Sequence, residues 1–245
     1  FHSWDVAEIQ NPRGGEYRDE LDTAEVARLL PEAQGVFESQ EEFDRTVDWE
    51  RMFERNPMRH CCGSEEEARA TLMNFRRALE SQERAWRFFE ENKTRSYDVV
   101  VATRGDLRFL EEFNVPEELV ASLCERRGER GRSKEHLNGI DARRARLEAS
   151  PSLDAHRATL QSMLWLPRFH SWGGVNDRFA MGDEEAIRIW SNRTAFADGW
   201  LLKAGGESSE WLLKRWLERN RVEVEFLDFV FQRVRANGEV AEMDG

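Results

Sequence analysis

Apolar positions recur at threes, fours and sevens from Ser64 onward: Ala68, Leu72, Phe75, Leu79, Trp86 and Phe89, with charged residues between them. This is the stripe of a long amphipathic helix. Ser64 and Glu67 have the spacing of a capping box at its start, and the pattern fades near Asn92. The pattern then changes character. Val99, Val100 and Val101 form a short β-branched run between Tyr97-Asp98 and Thr103-Arg104-Gly105-Asp106. A run of that length bounded by turn chemistry predicts a strand buried on both faces.

Other segments are weaker. Phe1-His2-Ser3-Trp4-Asp5 is an abrupt apolar start, and Pro12, Gly14 and Gly15 mark a loop. Asp22 and Thr23 can cap a helix over Val26, Leu29 and Leu30 that Pro31 stops. Val36-Phe37 is at most a short strand. Ser39 and Glu42 repeat the capping-box spacing ahead of Phe43 and Val47. Pro116 suits the first turn of a helix over Leu119, Val120 and Leu123. Residues 125–149 are dense in charge and lack periodicity, which predicts a solvated, mobile insertion.

Met163 to Leu166 is a second apolar run, ended by Pro167. The stretch from Arg168 to Asp183 mixes Trp172, two glycines, Asn176, Asp177 and Arg178, and must be largely loop. Its residue types suit stacking on a sugar ring and hydrogen bonding to hydroxyls. Asp183 caps a helix over Ile187, Ile189 and Trp190, and a further helix begins near Ser208 with Trp211, Leu212, Leu213, Trp216 and Leu217. Alternation at Val222, Val224 and Phe226, then at Phe229 and Phe231, predicts one or two final strands. Phe-His-Ser-Trp occurs twice, at 1–4 and 169–172.

Composition narrows the function classes. The 245 residues are 40% hydrophobic and 34% charged, enough for one α/β domain with a sizeable core. A net charge of −12 argues against nucleic acid as partner. No apolar run approaches the length of a membrane span. Cys61, Cys62 and Cys124 give neither a disulfide framework nor zinc spacing. The 36 basic residues include only four lysines; arginine is the better residue for bidentate phosphate contacts, but genome composition explains the bias equally and is the favoured account. The compartment stays open: the Golgi lumen for an excised lumenal domain, otherwise the cytoplasm.

Candidate chemistry collects at strand ends, where ligands bind in open α/β sheets. Arg104 can hold phosphate, and Asp106 can hold a divalent metal or a sugar hydroxyl. Gly105 is expected to be needed for the turn between them. Asp177 is either a site carboxylate or an ordinary partner of Arg178. Glu210 is either a site carboxylate or a residue placed to favour the helix dipole.

Taken together, the residues resemble a glycosyltransferase-like family of the GT-A class. YDVVVATRGDL at 97–107 is similar to its Y-D-x-V-x-R-T-R-x-D-L signature, and the helix at 64–91 to the long helix ahead of it. GGVNDRFAMGD at 173–183 resembles the G-x-N-D-R-F-A-x-G segment, SSEWLLKRWL at 208–217 the S-E-x-x-L helix, and FHSWD the end of the second strand. The resemblance implies a single domain over 1–245, with a mainly parallel, doubly wound, Rossmann-like sheet of the nucleotide-diphospho-sugar transferase type. Its first strand and helix would lie upstream of Phe1.

The resemblance also implies a function: transfer of a hexosyl or related group from a nucleotide sugar to a hydroxyl acceptor on a glycan or other molecule. Asp106 corresponds to the metal-contacting acid, holding manganese or magnesium weakly. Arg104, Asn176 and Trp172 fall on the donor side, and Asp177 and Glu210 become the catalytic candidates, Glu210 as base. Ala102 stands where the family has an Arg, and Arg104 where a full Asp-x-Asp would have its first acid. The alternative is a transferase-like domain that binds glycans or a protein without catalysis.

Overall fold

A computed structural model of the chain describes residues 1–5, 9–11, 16–18, 24, 28, 31, 33–55, 64–110, 115, 162–201, 208–234 and 240. The strands β1 (His2–Asp5), β2 (Ile9–Asn11), β3 (Glu16–Arg18) and β4 (Val36–Ser39) come first. Helices α1 (Gln40–Thr46), α2 (Trp49–Arg55) and α3 (Glu65–Asn92) follow. Next come β5 (Val100–Thr103), β6 (Leu107–Phe109), β7 (Met163–Pro167) and β8 (Phe179–Gly182). The chain continues through α4 (Glu184–Ser191), α5 (Thr194–Leu201), α6 (Ser209–Arg219), β9 (Glu223–Leu227) and β10 (Phe231–Arg233). The expected helices near residues 22–30 and 116–123, the 125–149 insertion and all three cysteines lie wholly or mostly outside the described residues.

The α/β class holds, with mixed rather than mainly parallel strand pairing. The four-stranded sheet has the order β5-β8-β7-β9, and only β7 and β9 pair in parallel. The reason is local. A parallel return from β7 to β8 would need a crossover of a dozen or more residues, usually through a helix. Residues 168–178 form a shorter loop without one, so β8 comes back antiparallel. β1 and β4 form a separate parallel pair whose β1 packs on α3.

The capping boxes are as the spacing predicts: the Ser39 and Ser64 hydroxyls accept from the Glu42 and Glu67 amides at 3.3 and 3.1 Å. Alternation along β7 divides the core. Leu164 and Leu166 meet Trp86, Ile187, Trp190 and Leu213 from α3, α4 and α6, while Trp165 turns to Phe179, Met181, Phe229 and Phe231 on the other face. Truncating Leu166 or Leu213 to Ala should cost roughly 2–5 kcal/mol. β5 differs from expectation. It is an edge strand among the described residues: Val100 and Ala102 pack against the helical core and Val99 against the other core cluster, but Val101 is exposed, so the second face of the valine run is covered only in part.

Candidate functional site

The strand directions decide where side chains can meet. β5, β7 and β9 all run opposite to β8, so their carboxyl ends lie at one end of the sheet. Three backbone bonds stitch that end together. The Arg104 amide donates to the Arg178 carbonyl at 3.1 Å, Arg168 to Leu227 at 3.1 Å, and Val234 to Asp106 at 2.8 Å. The Arg-Gly-Asp turn, the 168–178 loop and the end of β10 therefore share one rim.

The 168–178 loop is conformationally unusual. His170, Trp172 and Gly173 have φ of 52°, 42° and 79°, and two left-handed non-glycine residues so close together carry a strain cost. Trp172 is 53% exposed. Asn176 is fully buried: its Nδ2 donates to the Phe169 carbonyl at 3.0 Å, and its Oδ1 accepts from the Arg178 amide at 2.9 Å. Its side chain thus holds the loop shut and is spent within the protein, which differs from the expected place on the donor side. Gly174 lies against the first turn of α6, where an added Cβ would meet the Glu210 backbone at 2.1 Å. The Val175 amide donates to the Glu210 carbonyl at 3.1 Å.

That contact brings Asp177, Arg178 and Glu210 together. Glu210 is 5% exposed; its Oε2 accepts from the Ser209 hydroxyl at 3.1 Å, and its Oε1 lies 3.9 Å from Arg178 Nη2. Burial first, and then the Asp177 charge, push the Glu210 carboxyl above the ordinary carboxylate range, against its own backbone amide, the Ser208 hydroxyl and Arg178. Helix-dipole stabilisation would act in the other direction, so Glu210 is poorly explained as a dipole residue alone.

Arg193 completes the cluster and was not singled out by its sequence context. It sits in the turn between α4 and α5 with 1% exposure, donates through Nη1 to the Trp190 carbonyl and lies 4.8 Å over the Trp190 ring. Burial lowers its pKa to about 10, opposed by Asp177. Its Nε, the Trp190 Nε1 and the Thr194 Oγ1 are buried without a hydrogen-bond partner among the described residues. No sequence signal marks such a residue, since a cation next to Asn192 at a helix end reads as solvated.

Asp106 is held differently. Its Oδ1 accepts from Arg104 Nε at 2.8 Å, and its Oδ2 from Arg104 Nη2 at 2.7 Å and Arg233 Nε at 3.4 Å. Burial would raise its pKa, but the two guanidinium groups outweigh this and hold it below the usual range. The donor set does not suit a divalent cation. Manganese and magnesium take several oxygens, whereas here one carboxylate has both oxygens engaged by arginine. No group of three or more His, Cys, Asp or Glu residues placed to hold a metal occurs among the described residues. Gly105 has open space around it and no left-handed φ, so the turn does not require glycine, contrary to expectation.

The structure thus gathers Arg104, Asp106, Asp177 and Glu210 at one end of the sheet, with Trp172 on the same loop as Asp177, and adds Arg178, Arg193 and Arg233. No helix among the described residues is long and apolar enough to cross a membrane. Compared with family models, curated proteins and solved structures, the chain matches none.

Proposed function

We propose that this domain is a glycosyltransferase of the nucleotide-diphospho-sugar transferase type, moving a glycosyl group from a nucleotide sugar to a hydroxyl acceptor. The observation that carries this reading is the convergence of an arginine-rich turn and of the buried Glu210 carboxylate with Asp177 where three strands end. Each half has a task. Arginines suit the diphosphate of the donor, by charge and by fork geometry. Glu210, raised by burial and by Asp177, is tuned in the direction that a general base for an acceptor hydroxyl requires. Arg178, 3.9 Å from Glu210, sets how readily that proton is released. Trp172 offers an exposed aromatic face to a sugar ring. Release of free sugar from a panel of nucleotide sugars, followed by transfer to hydroxyl acceptors, tests the reading; no turnover of any donor would defeat it.

The second reading, a glycan-binding domain without catalysis, is favoured by the small exposure of Glu210. It predicts glycan binding that depends on Trp172 and persists in Glu210→Gln, with no donor turnover.

A further inference from the structure

We propose that Arg178 receives an oxyanion carried by the acceptor, so that the hydroxyl compound glycosylated here is an acidic one, bearing a carboxylate or a phosphate near the reacting hydroxyl. The inference rests on the transferase reading for the role of Glu210 and deepens it by naming the acceptor class.

Three observations carry it. The first is an unspent guanidinium. Other partly buried arginines of the chain are bonded to carboxylates: Arg76 to Asp198 at 2.8 Å, Arg77 to Asp44 at 3.0 Å and Arg104 to Asp106 at 2.8 Å. Arg178 has 14% of its side chain exposed, yet that side chain donates no hydrogen bond to any described residue. Its ionic contact is the 3.9 Å approach of Nη2 to Glu210 Oε1. Asp177, next to it in the chain, forms no ion pair with it among the described residues. A largely desolvated fork with unused donors is costly to keep and suits an oxyanion.

The second is preorganisation. The Arg178 amide donates to Asn176 Oδ1 at 2.9 Å, and its carbonyl accepts from the Arg104 amide at 3.1 Å. The next residue, Phe179, opens β8 and is buried in the core. The backbone is thus fixed on both sides of the side chain, and little further ordering is needed for it to hold a ligand.

The third is the neighbour. A general base works within hydrogen-bond reach of the acceptor hydroxyl, directly or through one water. With Nη2 3.9 Å from the carboxylate, a group held by Arg178 lies beside that hydroxyl, which places the anion on the acceptor. The groups acting on Glu210 are Asp177 and Arg178 from the loop and the Ser208 and Ser209 hydroxyls of its own helix. Arg178 is the cation among them, and it favours the ionised carboxylate. An oxyanion on Arg178 cancels that influence. Glu210 then holds a proton more firmly and is the stronger base toward a hydroxyl, so acceptor binding is linked to proton uptake.

Calorimetric titration of the 245-residue chain with glucuronate, glucose-6-phosphate, glucose and UDP, in buffers of different ionisation heat, tests this. Glucuronate or glucose-6-phosphate should bind about tenfold or more tighter than glucose, with net uptake of protons, and which of the two binds tells carboxylate from phosphate. Arg178→Met should remove the preference over glucose, and Arg178→Lys should keep part of it, because a point charge replaces a fork. Glu210→Gln should bind the acidic sugar without proton uptake, a change that a merely structural role would not produce. Arg215→Met makes the same change of charge on an exposed part of α6 and should leave the preference intact. Circular dichroism separates misfolding from lost binding, and Arg178→Lys carries the test where the Met variant misfolds. An acidic preference that survives Arg178→Met, glucose bound as tightly as the acidic sugars, or no binding of any of the three sugars would overturn the inference. UDP binding that needs Arg178, with no acidic preference among the sugars, would also overturn it and leave the nucleotide-sugar reading intact. Acidic sugar bound through Arg178, with no donor turned over, would uphold the oxyanion site and defeat the transferase reading.

Discussion

Val175 donates its backbone amide to the carbonyl of Glu210 at 3.1 Å, which makes the 168–178 loop and the start of α6 one unit. Gly174 makes this possible, because its missing side chain lets the loop backbone lie on the helix. Gly174→Ala would place a Cβ 2.1 Å from the Glu210 carbonyl carbon and 2.3 Å from the Trp211 nitrogen, both backbone atoms. The expected loss is about 1–3 kcal/mol of stability or more, read by denaturant unfolding. Gly105→Ala, with nothing within 4 Å, should stay within about 0.5 kcal/mol of the parent.

Glu210 gives a prediction whose sign separates two roles. The folded chain holds its proton more tightly than the unfolded chain, because burial and Asp177 raise its pKa. Between the ordinary carboxylate value and that raised value the native state binds more protons, so stability falls as pH rises through the window. Glu210→Gln removes this cost. It should therefore melt at a higher temperature than the parent at pH 7, with the difference shrinking as pH falls below about 4, and should lose about 10² or more in turnover. A dipole residue would behave oppositely, losing some tenths of a kcal/mol as Gln with no change in turnover.

Much of this arrangement was legible in the sequence, and the misses share a cause. The α3 stripe, the two capping boxes and the strand at β7 follow from local periodicity. So does the placement of the 168–178 loop at a strand end, since Pro167 closes the apolar run directly before it. What local pattern does not encode is pairing direction and long-range partnership. β8 is antiparallel because of the connection before it. β5 is at an edge because of what neighbours it in the sheet. Asn176 is buried because Phe169 and Arg178 close around it. The repeated Phe-His-Ser-Trp makes the point within one chain. At 1–4 its His-Ser-Trp lies in a parallel strand, whereas at 169–172 its His and Trp adopt left-handed φ. Arg233 was invisible for the same reason, since Asp106 is far from it in sequence, and Arg193 because its burial follows from the packing around it and not from its near partner Trp190.

His2 reports on the β1–α3 contact through acid stability. Its side chain is fully buried, Nδ1 bonds the Ser81 hydroxyl at 2.9 Å, and Nε2 stands 3.9 Å from Glu38 Oε2. Burial, and then the Arg84 charge, lower its pKa to about 4. The unfolded chain thus binds this proton first. Stability is complete above the ordinary value near 6.5 and is lost as pH falls from there toward 4, by up to about 3 kcal/mol. His2→Gln should flatten the melting temperature over this interval, and Ser81→Ala should leave its slope largely in place.

Arg193 tests whether the buried cluster is kept for stability or for chemistry. A guanidinium at 1% exposure, with one backbone acceptor, an aromatic face and an unbonded Nε, is an expensive way to fill a core. Burying a charge without a close ionic partner costs several kcal/mol, and well-packed apolar residues of similar volume are often neutral or stabilising replacements. Arg193→Met should accordingly keep or raise the melting temperature. If Arg193 serves the carboxylate pair, the same variant should lose turnover, because the Asp177 charge that acts on Glu210 is then no longer countered from behind. The pH profile supplies the specific readout. Removing the cation exposes Glu210 to the full Asp177 charge, so the rising limb for the base should move to higher pH, and Arg193→Lys should restore part of the shift. A variant that melts lower than the parent and shows an unmoved limb would make Arg193 a core residue and nothing more.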